Sequence, residues 1–279
     1  MASGAFYALL ALGLSVIFGM LRVVNFAHGT MYMLGAFATY YGAQLFHLPF
    51  YAALIVAPIV VGAFGVLLET SLLRRLYGLD PLYNLLLTFA LALVIEDLMR
   101  LLAGALGSPY TTPDALSGIA NLGFTLYPVY KLFVIVVSLA VCALVWWIVD
   151  RTPVGARIRA ATENPTLVRA LGINTRSLVT WTFGCGVALA ALAGVLAAPQ
   201  SNVDPSMGDT IIIYTFAIVV IGGLGSVVGS IVAGFALGLL QAIGAVVWAP
   251  ISTTLIFIVM VIVIVLRPAG LFGRPEGSR

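Results

Sequence analysis

From Thr210 to Leu266 the chain runs for 57 residues without an Asp, Glu, Lys or Arg. As one helix that stretch would reach roughly 85 Å, nearly three times the ~30 Å hydrocarbon core of a bilayer. Residues 1–21, 23–68, 132–149 and 177–203 are equally free of charge. Of the 279 residues, 62% are apolar and 8% charged, whereas soluble domains average ~45–50% and ~25%. A soluble fold cannot hide so much apolar surface, and a disordered chain needs the opposite bias. The net charge of +3 is too small for nucleic-acid binding. Two cysteines, Cys142 and Cys185, sit in apolar runs and read as small buried side chains rather than a disulfide framework.

About 20 residues cross a bilayer as helix. Residues 1–21 hold one span, and 23–68 hold two that turn near His47 and Pro49. Residues 82–103, 128–149 and 177–198 hold one each, and the last gap holds three. Its internal breaks are Gly222-Gly223-Leu224-Gly225 and Trp248-Ala249-Pro250. Three crossings leave little room for loops, so one piece is short, re-entrant or broken. The expectation is an all-α polytopic bundle of eight to nine spans forming a single domain over 1–279, with a loop at 150–176 inside it.

Lys and Arg in short loops set orientation. Placing loop 69–81, loop 150–176 and the tail in the cytoplasm puts eleven of the 13 basic residues inside, Arg22, Arg274 and Arg279 among them, and leaves Arg100 and Lys131 outside. The C-terminus is then cytoplasmic and the N-terminus outside. Residues 1–4 carry no basic side chain, and no cleavage pattern follows the first apolar stretch. The chain begins almost inside its first span, as if a few leading residues preceded it.

Two loops exceed simple connections. Residues 104–127 contain the turn-rich run Gly107 to Asp114, suited to an ordered surface loop. In 150–176, Asn164-Pro165 reads as a helix start and Gly172 as its end, with Leu167, Val168 and Leu171 as an apolar stripe. That is a two-turn helix, too short to span, lying across the cytoplasmic face.

Catalytic motifs are missing. No G-x-x-x-x-G-K-[ST] occurs, so the chain has no ATP site of its own in the usual form. The glycines at 222, 223 and 225 lack dinucleotide spacing. His28 and His47 have no carboxylate nearby in sequence, so no metal site is expected. Ser226 has no assignable base. Glu96 and Arg100 stand four apart on one helix face and read as a mutual pair near the outer interface. No span carries a lone acid or lysine near its centre, which counts against an ion-coupled secondary carrier. Two places admit a functional reading beside a structural one. The glycine block at Gly222, Gly223 and Gly225 with Ser226 is either helix packing or a broken helix along a substrate path. The polar run holding Asn25 and His28 is either an interfacial turn or the lining of a pathway's inner mouth.

Gly19-Met20-Leu21-Arg22-Val23-Val24-Asn25-Phe26-Ala27-His28-Gly29, followed by Met33 to Ala36, resembles the opening signature of permeases of branched-chain amino acid ATP-binding cassette importers. Gly155 to Asn174, ending Ala170-Leu171-Gly172-Ile173-Asn174, is similar to that family's ATPase-contacting segment. Ala190 to Gly194, Val220 to Ser230 and Arg267 to Gly273 resemble its later blocks, in the same order. The likeness spans nearly the whole chain and is nearest the smaller of the two permeases such systems pair, although family members usually carry a further stretch before the first span.

The resemblance implies a multi-pass subunit of a bacterial inner membrane. It would be paired with a second homologous permease, two cytoplasmic ATPases and a periplasmic substrate-binding protein, with no cofactor of its own because the partners bind ATP. It also implies that Gly155, Arg157, Arg159, Asn164, Pro165, Leu167, Leu171, Gly172 and Ile173 form the coupling element. Cargo would be branched-chain or related amino acids; relatives carrying urea or short amides are the alternative.

Overall fold

The computed structural model describes residues 2–21, 23–121, 123 and 126–273; Arg22, Arg274 and Arg279, used above for orientation, lie outside them. Eleven α-helices follow in order: α1 (Ala2–Leu21), α2 (Ala27–Phe46), α3 (Phe50–Ser71), α4 (Pro81–Ala103), α5 (Val129–Arg151), α6 (Pro153–Glu163), α7 (Pro165–Ala170), α8 (Thr175–Ala197), α9 (Met207–Gly222), α10 (Val227–Val247) and α11 (Thr254–Leu266). The only sheet among the described residues is the hairpin β1 (Ile119–Asn121) and β2 (Leu126–Pro128). The chain is an all-α, multi-pass membrane bundle.

Among the described residues, five helices (α1, α3, α5, α8 and α10) are long and apolar enough to cross a membrane. With 20 and 23 residues, α2 and α4 have the length but more polar sequences, while α9 and α11 are shorter, at 16 and 13 residues. The breaks fall where the sequence puts them. His47 adopts the left-handed conformation (φ 50°) between α2 and α3, α9 stops at Gly222, and a short turn at Ala249–Ile251 separates α10 from α11.

The centre is built by backbone approach. Two helices in lipid gain no hydrophobic drive by meeting, so they associate where small residues allow close packing. Gly13 of α1 meets Gly186 of α8, Gly35 of α2 meets Ala191 of α8, and Gly29 of α2 meets Gly208 of α9. Gly4 and Ala8 of α1 lie on Gly238 and Gly234 of α10. A Cβ at Gly35 would fall on the Ala191 backbone. Thus α1, α2 and α8 form the core, and α3, α4, α5 and α11 face outward.

Two expectations need correction. The segment 150–176 holds two helices, not one: α6 precedes the foreseen two-turn piece. Pro153 starts α6 at a position where its missing N–H is harmless. Cys185 is exposed, one turn from the outward Trp181, while Cys142 is buried. Position 185 falls on the one face of α8 that looks out of the bundle, which apolar surroundings in sequence do not reveal.

Candidate functional site: a polar core and a capped cytoplasmic-loop helix

Asn25 and His28 lie inside the bundle. After α1 the chain is irregular over 23–25 and then enters α2. The Phe26 N–H donates to Thr88 Oγ1 of α4 (3.2 Å), and its ring lies 4.9 Å from Phe216, midway along α9. The irregular backbone therefore sits level with helix interiors, a depth tolerated only where protein or an internal cavity covers it. Asn25 is 2% exposed, and neither end of its amide finds a protein partner among the described residues. His28 is wholly buried; Nε2 meets the Leu10 carbonyl at 3.1 Å, while Nδ1 has no such partner. Ser15 and Ser230 add two more buried hydroxyls without partners. Buried polar groups are normally satisfied, which makes Asn25 and His28 candidates for a role beyond packing.

The glycine block is a separate construction. Gly223 (φ 104°) and Gly225 (φ 80°) hold conformations that side chains disfavour. Gly222 packs against Gly229, and Gly225 against Gly19. Ser226 Oγ accepts from the Gly229 N–H (3.1 Å) and caps α10. The tail completes it: the Leu271 and Phe272 N–H groups donate to the Ile221 and Gly222 carbonyls (2.9 and 3.1 Å), closing the end of α9. Among the described residues no hydrogen bond joins this block to Asn25 or His28.

At the bundle end that carries Arg74, Arg169 and the start of α8, α6 and α7 form an angled pair. A Cβ at Gly155 would strike the Val149 backbone, so glycine lets α6 fold back onto the end of α5. Arg159 is engaged there, bonding the Val149 carbonyl and lying 3.8 Å from Asp150, whereas Arg157 is exposed. Asn164 Oδ1 accepts from the Leu167 N–H (2.9 Å) and Pro165 opens α7. Gly172 (φ 81°) ends it, and the Ile173 N–H returns to the Val168 carbonyl (3.2 Å). The apolar stripe divides: Val168 is buried in the bundle, while Leu167 and Leu171 are 57% and 71% exposed.

Sequence reasoning missed a third feature at this end. Glu69, two residues before the end of α3, is wholly buried. Arg74 grips its carboxylate with two bonds (Nε–Oε1 3.3 Å, Nη2–Oε2 2.9 Å), and Thr180 of α8 donates to Oε2 at 2.8 Å. The Glu69 to Arg74 spacing of five was the available signal, hidden because both residues sit at the edge of a charge-free run. At the opposite end Glu96 pairs with Arg100 as expected, and Asp209 faces Glu96. There the 104–128 segment is clipped to the α8–α9 connection by a two-way bridge between Ser108 and Val203 (2.9 Å each).

The family model described as "Branched-chain amino acid transport system / permease component" matches residues 1–266. The chain belongs to this permease family. BraD of Pseudomonas aeruginosa, named a high-affinity branched-chain amino acid transport system permease protein, is 29% identical over 98% of this chain and 93% of its own length. The Escherichia coli permease LivH is 28% identical with the same coverage. LivM, a second E. coli permease of the same printed system name, is 26% identical over 79% of this chain and 57% of its own. These relatives are named as transport permeases, not enzymes. No solved structure matches the chain.

Proposed function

We propose that this permease is one membrane-spanning subunit of an ATP-binding cassette importer that moves branched-chain or related amino acids into the cytoplasm. It has no ATP site of its own. Two cytoplasmic ATPases drive it, a second homologous permease completes the channel, and a periplasmic binding protein delivers cargo. The α6–α7 end faces the cytoplasm, as the clustered arginines favour. The single observation that carries the reading is α7. It is capped at Asn164 and Gly172, anchored inward by Val168, and presents Leu167 and Leu171 outward. A helix of six residues, with one outward leucine on it and another at its C-cap, buries too little to serve as a lipid anchor, so an ATPase groove is its natural cover. ATP-driven closure of the ATPases displaces α7, and the bundle alternates between outward- and inward-open states.

Leu171→Asp and Gly172→Val test this. The first puts a charge on the docking face. The second forces a β-branched residue to φ 81°, at a cost of about 1–2 kcal/mol, enough to disturb the end of α7 without unfolding a membrane bundle. Substrate-stimulated ATP hydrolysis in the reconstituted complex should fall about tenfold for each, with insertion unchanged. Wild-type stimulation in both variants would remove the coupling role.

A further inference from the structure

The α6–α7 pair does not rest on α3. A cavity of about 410 Å³ lies between them, with Glu69 and Arg74 on one wall and Thr162, Pro165 and Arg169 on the other. Displacement of α7 therefore reaches α3 mainly through α8, against which both pack. Two polar ties bypass the gap. Arg169 Nε donates to Thr175 Oγ1 (2.7 Å), joining α7 to the first residue of α8. Five residues on, Thr180 donates to the buried Glu69 carboxylate and accepts from Arg74, joining α8 to the end of α3. The Tyr77 hydroxyl is buried in the same wall, and burial with the neighbouring Glu69 raises its pKa, so it stays protonated beside the carboxylate.

We infer that Glu69 is a positioning residue for transport: clamped by Arg74 and tied to Thr180, it makes α3 follow α8 when α7 is displaced. This rests on the coupling role proposed for α7. The arrangement suits transmission better than mere stability. Isolated buried ion pairs add little net stability, whereas a fully bonded one fixes a single geometry between the elements it joins. Beyond the tie the α3–α8 contact continues through small residues, with Gly62 and Gly65 of α3 against Gly184, Val187 and Ala188 of α8. Val187 seats in the gap left by Gly65 and Val66 in that left by Gly184, so packing holds the body of α3 to α8, and the Glu69 tie holds its end.

The two partners differ as probes. Arg74 is 36% exposed at its side chain and can reach water, whereas Glu69 is fully enclosed. Arg74→Ala would strand a buried charge and endanger folding. Glu69→Gln keeps the shape and frees an arginine that can hydrate. Thr180→Val leaves the ion pair whole and cuts only the tie to α8. In the complete complex reconstituted in vesicles, both variants should assemble normally and keep basal ATP hydrolysis, and both should lose about three- to tenfold of substrate-stimulated hydrolysis and uptake. Glu69→Asp, which keeps the charge on a shorter arm, should recover part of the loss. Crosslinking from Thr166→Cys to an ATPase subunit should be equal with and without Glu69→Gln, since docking precedes transmission. Wild-type stimulation in both variants with crosslinking intact would overturn the inference and leave the α7 reading standing. Reduced assembly matching the activity loss would reduce Glu69 to a structural role. Absence of the crosslink in the otherwise unaltered complex would remove both.

Discussion

Helices α5 and α8 have the same length, 23 residues, and opposite environments. Of the five helices apolar enough to cross a membrane, α5 contains the most apolar membrane-length stretch and α8 the least apolar one. Yet 17% of the residues in the apolar stretch of α5 are buried, against 61% for α8. In water the order would be reversed. In lipid, apolarity gives no reason to enter the core, because the hydrocarbon is as apolar as leucine. Close backbone approach and hydrogen bonds decide instead. Gly184, Gly186, Ala190, Ala191 and Gly194 bring α8 against α1, α2 and α3, while α5 touches the bundle along one stripe, Tyr130, Val134, Ser138 and Cys142, at i, i+4, i+8 and i+12.

The largest effect should come from filling the core of α8. A Cβ at Gly194 would fall on the Tyr32 carbonyl of α2. Backbone cannot yield as a flexible side chain does, so Gly194→Val should cost about 3 kcal/mol or more and remove most folded permease from the membrane. Size-exclusion profiles and protease resistance of the purified protein check this. A well-folded Gly194→Val variant would end the claim that small residues place α8 at the centre.

This contrast explains what was legible in the sequence. Charge-free runs count apolar helices, and glycine and proline mark their ends, so the bundle and its breaks at His47, Gly222 and Pro250 could be read directly. The α7 cap could be read because Asn164, Pro165 and Gly172 act within a few residues of each other. Depth could not be read. Whether Asn25 ends a helix at the surface or within the bundle depends on Thr88 and Phe216, more than 60 residues away. The tie of Glu69 to α8 was hidden for the same reason, since Thr180 is 111 residues distant. Helix α6 was legible but overlooked: Pro153 stands at a helix start, and Val154, Ile158 and Ala161 recur at helical spacing.

A middle-sized effect separates function from packing inside the same core. Asn25→Leu exchanges the two unpartnered atoms of one amide, Oδ1 and Nδ2, for a branched apolar side chain with the same number of heavy atoms. Replacing unsatisfied polar atoms by apolar ones is nearly neutral or stabilising, so thermal stability in detergent should hold within about 1 kcal/mol of wild type. If Asn25 serves the pathway, uptake should nevertheless fall about tenfold, through groups worth about 1–3 kcal/mol when they find a partner in one conformational state. Unchanged uptake, most tellingly in the Asn25→Leu/His28→Leu double variant, would return the run to a packing role. A loss of stability would show that the amide has a partner at rest.

The smallest effect belongs to the outer face of α5. Leu139 is 47% exposed and Leu144 55% exposed among the described residues. In a bilayer their exposed sides meet acyl chains, and Leu→Ala there exchanges one apolar contact for another without leaving a cavity, because lipid flows into the space. Each substitution should change stability by no more than about 0.5 kcal/mol and leave uptake unchanged, whereas the same truncation at Leu196, fully buried in α8, should cost about 2–5 kcal/mol. The test reaches beyond the single chain. If Leu139→Ala and Leu144→Ala are silent in the isolated permease but weaken the assembled complex, α5 is the surface on which the second permease sits. If they are silent in both, α5 faces lipid throughout and the partner must meet one of the other outward helices.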